Sequence, residues 1–261
     1  MARRESPLRT LTVAAGVALF CSLLVSTVVY WLRPMQLAYA DIERNFAILV
    51  AAGLAPRDES LGDREIVARF VDLEPRIFDR ETQSFTSSID PITYEYRAAA
   101  ADPGRSTPLP ADRDLAGIGT LARYLPLYVS SSGGSARRIV IPIYGRGMWS
   151  TIHGYLSLNA DLQTIAGISF YEHGETPGIG DRIQSPDWLG QWPGTRIYAM
   201  DDSVQIHFAP PSSNLLPDYR IDSITGATVT VAAVERMLRF WLGPDGYRPA
   251  LQLIAAEGAT P

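Results

Sequence analysis

The sequence predicts an α+β protein: a single N-terminal transmembrane helix, then an extracytoplasmic antiparallel sheet with helices packed on it. Three observations predict it. Residues Leu11 to Leu32 carry no charge. From Leu121 onward, short apolar runs alternate with turn-forming clusters, the pattern of strands. Helical spacing then returns at Thr230 to Leu242, directly behind Asp222-Ser223-Ile224-Thr225-Gly226-Ala227-Thr228.

The apolar run comes first in the chain. As a helix it is about 33 Å long, enough to cross the hydrocarbon core of a bilayer. Tyr30 and Trp31 close it where an interfacial aromatic belt belongs. Arg3, Arg4 and Arg9 precede it against a lone Glu5. The positive-inside rule therefore keeps residues 1–10 cytoplasmic, makes 11–32 the span and sends the rest across. A cleaved signal peptide is the rival reading, because Ala38-Tyr39-Ala40 resembles a cleavage site. The length of the run and the intervening Arg33-Pro34 favour an uncleaved anchor.

Residues 33–120 form a helical and loop-rich segment. Asp41 to Leu54 has helical spacing through Phe46, Leu49, Val50 and Leu54, and a second such run covers Glu65 to Phe78. Asp90 to Leu115 is rich in Pro, Ala and Asp and reads as a surface excursion. Residues 121–261 form the second domain. Strands are expected at Tyr124–Ser130, Arg138–Tyr144, Ile152–Leu158 and Thr164–Tyr171, and shorter ones at Thr195–Met200 and Val204–Phe208. A serine- and glycine-rich loop at 130–135 joins the first pair. The final helix puts Val231, Val234, Leu238 and Trp241 on one face and stops at Gly243-Pro244.

Composition excludes several chemistries. The chain has 261 residues and a net charge of -5, and all 23 basic residues are Arg. A mildly acidic chain does not read as a nucleic-acid binder, and without lysine there is no Schiff-base or P-loop amine. The single cysteine, Cys21, permits neither an internal disulfide nor a cysteine-held metal or iron–sulfur cluster. His153, His173 and His207 lack metal-ligand spacing. No metal site and no catalytic side chain are expected.

Three glycine-containing loops remain. They are Gly145-Arg146-Gly147-Met148-Trp149-Ser150, Glu172-His173-Gly174-Glu175-Thr176-Pro177-Gly178-Ile179-Gly180, and the Asp222-to-Thr228 motif. Glycines admit close backbone approach, an indole offers a flat face and hydroxyls donate hydrogen bonds, which suits a ligand with a ring and a phosphate. Taken singly, either of the first two is a tight turn. Asp-x-x-Ser/Thr-Gly-Ala-Thr arises by chance in about one chain per thousand of this size, yet on spacing alone it is equally an ordinary helix N-cap.

Together, and behind one anchor, these loops resemble the NqrC family, a constituent of the sodium-translocating NADH:quinone reductases. The resemblance runs from Leu32-Arg33-Pro34-Met35-Gln36 through Phe70-Val71-Asp72-Leu73 and the three loops to Phe240-Trp241-Leu242-Gly243. Its specific parts are Glu175-Thr176-Pro177-Gly178 and Thr225-Gly226-Ala227-Thr228. The related RnfG family shares the second of these.

The resemblance implies an FMN-binding domain with FMN joined to Thr228 by a phosphoester bond. Thr225, Gly226, Ala227 and Asp222 would surround the attachment point, Thr225 as a cap or phosphate contact. Trp149, Ser150, Glu175, Thr176 and Ile179 would line the flavin. It further implies a protein of a bacterial inner membrane, its C-terminal domain periplasmic. Electrons would pass from a membrane iron–sulfur centre to the FMN of NqrB during NADH oxidation, ubiquinone reduction and sodium export. Partners would be the other members of the reductase complex (NqrA, NqrB, NqrD, NqrE and NqrF), membrane lipid and a flavin transferase, with no NADH site in this chain. Two positions depart from the family pattern: Asp181 follows Gly180 in place of a glycine, and His207-Phe208 falls near a usual lysine. Arg196 or another arginine would then serve as basic partner. The alternatives are an RnfG-type member of a ferredoxin-linked complex and a cofactor-free anchored interaction protein.

Overall fold

A computed structural model describes residues 7–59, 61–130 and 137–258. The serine- and glycine-rich loop at 131–135 and the basic residues Arg3 and Arg4 lie outside the described residues. The chain divides into two compact units, Met1–Arg44 and Asn45–Pro261.

Helix α1 covers Pro7–Ala52, and its apolar stretch has a mean hydropathy of 2.2, long and apolar enough to cross a membrane. Leu11, Phe20, Leu24 and Trp31 are exposed along it. The Thr12 and Thr27 hydroxyls donate to the carbonyls of Leu8 and Leu23 at 2.8 and 2.7 Å, so neither is left unsatisfied in hydrocarbon. The helix continues through Pro34. The expected helix at Asp41 to Leu54 is thus its C-terminal portion rather than a separate element. Residues from Asn45 on belong to the second unit, where Ile48 and Leu49 are fully buried.

The second unit continues with α2 (Asp63–Phe70), β1 (Leu73–Asp79), β2 (Ser84–Thr86), α3 (Tyr96–Ala101), β3 (Ser106–Pro108) and β4 (Thr120–Ala122). Then come β5 (Tyr124–Ser130), β6 (Arg138–Arg146), β7 (Thr151–Leu158) and β8 (Ile165–Glu172). The chain ends with α4 (Pro186–Leu189), β9 (His207–Ala209), β10 (Arg220–Asp222), α5 (Thr228–Trp241) and α6 (Arg248–Gly258). Six strands form one antiparallel sheet in the order β2-β1-β5-β6-β7-β8. It draws two strands from the N-terminal side of Leu121. β9 and β10 pair in parallel as a separate two-stranded sheet.

The run Glu65 to Phe78 is not one helix. It stops at Phe70 and resumes as β1, because Pro75 has no amide to donate and disfavours a helical Glu74. Phe70, Leu73 and Ile77 fit helical spacing only by coincidence. The Asp90-to-Leu115 excursion contains α3, with Tyr96, Ala99 and Ala100 buried. Thr195 to Met200 makes only isolated bridges, Thr164 to Arg196 and Tyr198 to Val204, instead of a strand. Helix α6 has no counterpart among the expected elements.

Helix α5 lies on β6, where a Cβ on Gly145 would come within 3.1 Å of the Met237 side chain. Buried donors then lock the helical layer to the sheet. The Trp241 indole nitrogen donates to the Tyr144 carbonyl at 2.6 Å and the Tyr247 hydroxyl to the Pro126 carbonyl at 2.7 Å. This layer fixes where the N-terminus of α5 emerges.

Candidate functional site

Each of the three loops begins where a sheet strand ends. After β6 the Gly147 amide donates to the Ser150 carbonyl at 2.8 Å, closing the turn that carries Met148 and Trp149. After β8 the Thr176 carbonyl accepts the amides of Ile179, Gly180 and Asp181 at 3.1, 2.9 and 3.3 Å. Gly178 makes that turn possible with a φ of +76°. At the base of this loop Arg97 binds both oxygens of Glu172, at 2.7 and 3.1 Å. The same guanidinium holds the Glu172 carboxyl below its ordinary range.

After β10 the backbone of Asp222 is fixed at both ends. Its amide donates to Gln191 Oε1 at 2.9 Å and its carbonyl accepts the Trp188 indole at 2.7 Å. The Asp222 carboxylate, partly exposed, lies 3.4 Å from Arg220 Nε. Gly226 then turns the chain with a φ of +85°, and the Ala227 amide donates to the Ile224 carbonyl at 3.1 Å. The helix starts at Thr228, two residues before the expected Thr230. Thr225 does not cap it: its N-cap residue is Ala227, with no side-chain hydrogen bond. The first-turn amides, which have no acceptor within the helix, therefore open beside the Thr228 hydroxyl.

One side chain joins the first two loops to the first turn of α5. Glu175 is buried, and its Oε1 accepts the amides of Met148 and Trp149 at 3.0 and 3.1 Å. Its Oε2 accepts the hydroxyl of Thr230 in the first turn of α5. Two further bonds tie the first loop to the second: Trp149 Nε1 donates to Thr176 Oγ1 at 3.0 Å, and the Gly174 amide donates to Ser150 Oγ at 2.6 Å. The side chain of Ile179 then comes within 3.9 Å of where a Cβ on Gly226 would stand.

The ten residues predicted from the sequence fall into three groups. Trp149, Ile179, Thr225, Gly226 and Thr228 are exposed around the open end of α5. Ser150, Thr176 and Asp222 are intermediate, the first two bonding loop to loop. Ala227 and Glu175 are buried. Thr230 was missed, and only the three-dimensional proximity of α5 to the second loop reveals it. Its hydroxyl is committed to Glu175, whereas Thr228 is an exposed residue, so the two threonines stand in chemically distinct settings. Of the arginines, Arg196 lies over the Tyr219 ring at 5.5 Å, whereas Arg146 lies within the first loop and Arg182 just after the second, both exposed. His207 pairs with Arg239 and Glu235 at 3.0 and 3.5 Å. Two surface cavities of about 500 and 520 Å³ sit elsewhere, around Phe85 and Tyr94, and none of the ten residues lines them.

The chain is similar to known proteins across this region. The FMN-binding domain model matches residues 147–243, which contain Trp149, the second loop and the Asp222-to-Thr228 motif. The NqrC protein of the Na(+)-translocating NADH-quinone reductase of Pseudomonas aeruginosa is 34% identical over 251 residues, covering 95% of each chain. That of Vibrio vulnificus is 32% identical over 258 residues, covering 99% of each. The crystal structure of Shewanella oneidensis NqrC superposes with a TM-score of 0.74 at 29% identity, over 84% of this chain and 99% of that one. The corresponding structure from Parabacteroides distasonis gives 0.64 at 23% identity, over 84% and 96%, and shares the fold.

Proposed function

The chain belongs to the NqrC family of the Na+-translocating NADH-quinone reductases, and on that premise we propose that it is the membrane-anchored component that carries FMN esterified to Thr228. It takes electrons from a membrane iron–sulfur centre and passes them to the FMN of NqrB, coupled to sodium export. α1 is the single-pass anchor in the bacterial inner membrane, with residues 1–10 cytoplasmic and the sheet domain periplasmic. NqrA, NqrB, NqrD, NqrE and NqrF are its partners, and a flavin transferase matures it.

The observation that carries this reading is the contrast between Thr228 and Thr230 within the FMN-binding match. Thr228 is exposed at the first position of α5, and Thr230 is 2% exposed and bound to Glu175. A phosphate on Thr228 accepts the free first-turn amides, and the helix dipole adds about 0.3–1 kcal/mol. Gly226 keeps the approach open, and Trp149, 68% exposed, presents a ring face held by Thr176. Bound FMN supplies one- and two-electron transfer. The chain's own residues hold the phosphate, orient the ring and keep the attachment point at the surface, within reach of redox partners. Arg146 and Arg182 are its candidate basic partners.

Thr228→Ala tests the assignment. Protein from cells with a flavin transferase should give a fluorescent band under ultraviolet light after denaturing electrophoresis, and the variant none. An intact mass without FMN in the parent chain would sink the flavoprotein reading. Flavin retained in the variant and lost in Thr225→Ala or Thr230→Ala would move the attachment point.

A further inference from the structure

The surroundings of Glu175 give it a role separate from lining the flavin. The side chain is 4% exposed, and both carboxylate oxygens are spent on interior donors: the Met148 and Trp149 amides on one, the Thr230 hydroxyl on the other. Glycines enclose it on two sides. A Cβ on Gly147 would stand 2.6 Å from Glu175 Oε1, and one on Gly180 would stand 2.8 Å from Glu175 Cβ. Among the described residues no arginine or histidine forms an ion pair with it. A buried carboxylate without a counter-ion is costly unless several donors satisfy it. These three donors come from two different elements, the loop bearing Trp149 and the helix bearing Thr228.

We propose that Glu175 is a positioning residue: its buried carboxylate fixes Trp149 against the first turn of α5 and thereby sets the geometry in which FMN is attached and held, without itself touching the flavin. The proposal rests on the reading of FMN at Thr228. Substitution separates shape from charge. Glu175→Gln keeps an oxygen for the two amides, and the Thr230 hydroxyl turns to accept from the new Nε2, so the clamp stays closed while its charge is lost. A buried negative charge near the ring opposes reduction, so removing it makes the flavin easier to reduce.

The full chain in detergent, made without and with a flavin transferase, supplies the test. Without flavin, Glu175→Ala should speed hydrogen exchange at the Met148 and Trp149 amides at least tenfold, and Glu175→Gln should leave their protection near that of the parent. With the transferase, Glu175→Ala and Thr230→Val should lose most of the Thr228-bound flavin. Glu175→Gln should keep it, with a more positive midpoint potential. Parental protection in Glu175→Ala, full flavin loading in both Glu175→Ala and Thr230→Val, or an unmoved midpoint in Glu175→Gln would each overturn the proposal. Failure of the FMN reading is recognised separately, as absence of flavin from the parent chain while the exchange result stands.

Discussion

The two ends of α5 are built on opposite principles. The C-terminal end is closed. Trp241 is 1% exposed, its ring centroid 4.8 Å from that of Tyr144 and 5.5 Å from that of Tyr247. The last carbonyls are also used, since Tyr247 donates its amide to Trp241 and Tyr198 its hydroxyl to Leu242, at 2.7 and 3.0 Å. The N-terminal end is open on one side: an uncapped first turn and an exposed Thr228, with Thr230 and Val231 buried behind them and a polar clamp from Thr230 to Glu175. A helix seated firmly at one end can present reactive groups at the other, so stability and function are separable along its fourteen residues.

The strongest way to break that separation is Trp241→Ala. It removes a large buried ring and leaves the Tyr144 carbonyl without its donor, costing about 3–5 kcal/mol. Denaturant unfolding of the full chain in detergent should register that loss. Flavin loading per folded molecule should remain that of the parent. A loading defect equal to the stability defect would mean that the two ends are coupled.

Acid should probe the closed end next. His153 stacks on Tyr144 at 5.6 Å, and burial, followed by the Arg97 charge, lowers its pKa from 6.5 to about 4. The unfolded chain then binds a proton that the folded chain refuses. Stability is fully present above pH 6.5 and falls between pH 6.5 and 4, by about 3–4 kcal/mol in total. Unfolding free energies of the parent and His153→Phe, measured at pH 7 and pH 4.5, should diverge, the variant losing the histidine's share of the acid slope. Equal slopes would remove His153 from the account.

The same division governs what could be read in the sequence. β5 to β8 are legible because their apolar runs end at turn residues, and Tyr124–Ser130 is recovered residue for residue. β1 is disguised by spacing shared with a helix, and only Pro75 betrays it. α6 follows the Gly243-Pro244 stop, yet its buried Ala250, Leu251 and Ile254 follow helical spacing. The three loops stand out by residue type, as does Thr228 by motif. That Glu175 turns inward to Thr230, fifty-five positions away, is a consequence of packing α5 on β6, and no local pattern encodes it.

The smallest effect offers the finest test of why the open end is open. If Ala227 merely lacked a hydroxyl, Ala227→Ser would cap α5 and stabilise the chain by about 1 kcal/mol. The backbone argues otherwise. Ala227 has φ -107° and ψ 32°, away from the extended conformation from which a serine oxygen reaches the second or third amide of a helix. Gly226, with its φ of +85°, delivers the chain in that direction. The missing cap is therefore set by the turn, and Ala227→Ser should gain less than about 0.5 kcal/mol in flavin-free protein. A gain near 1 kcal/mol, with reduced flavin loading, would show that the first-turn amides can be claimed by a neighbouring side chain. The openness would then reside in the alanine and not in the turn.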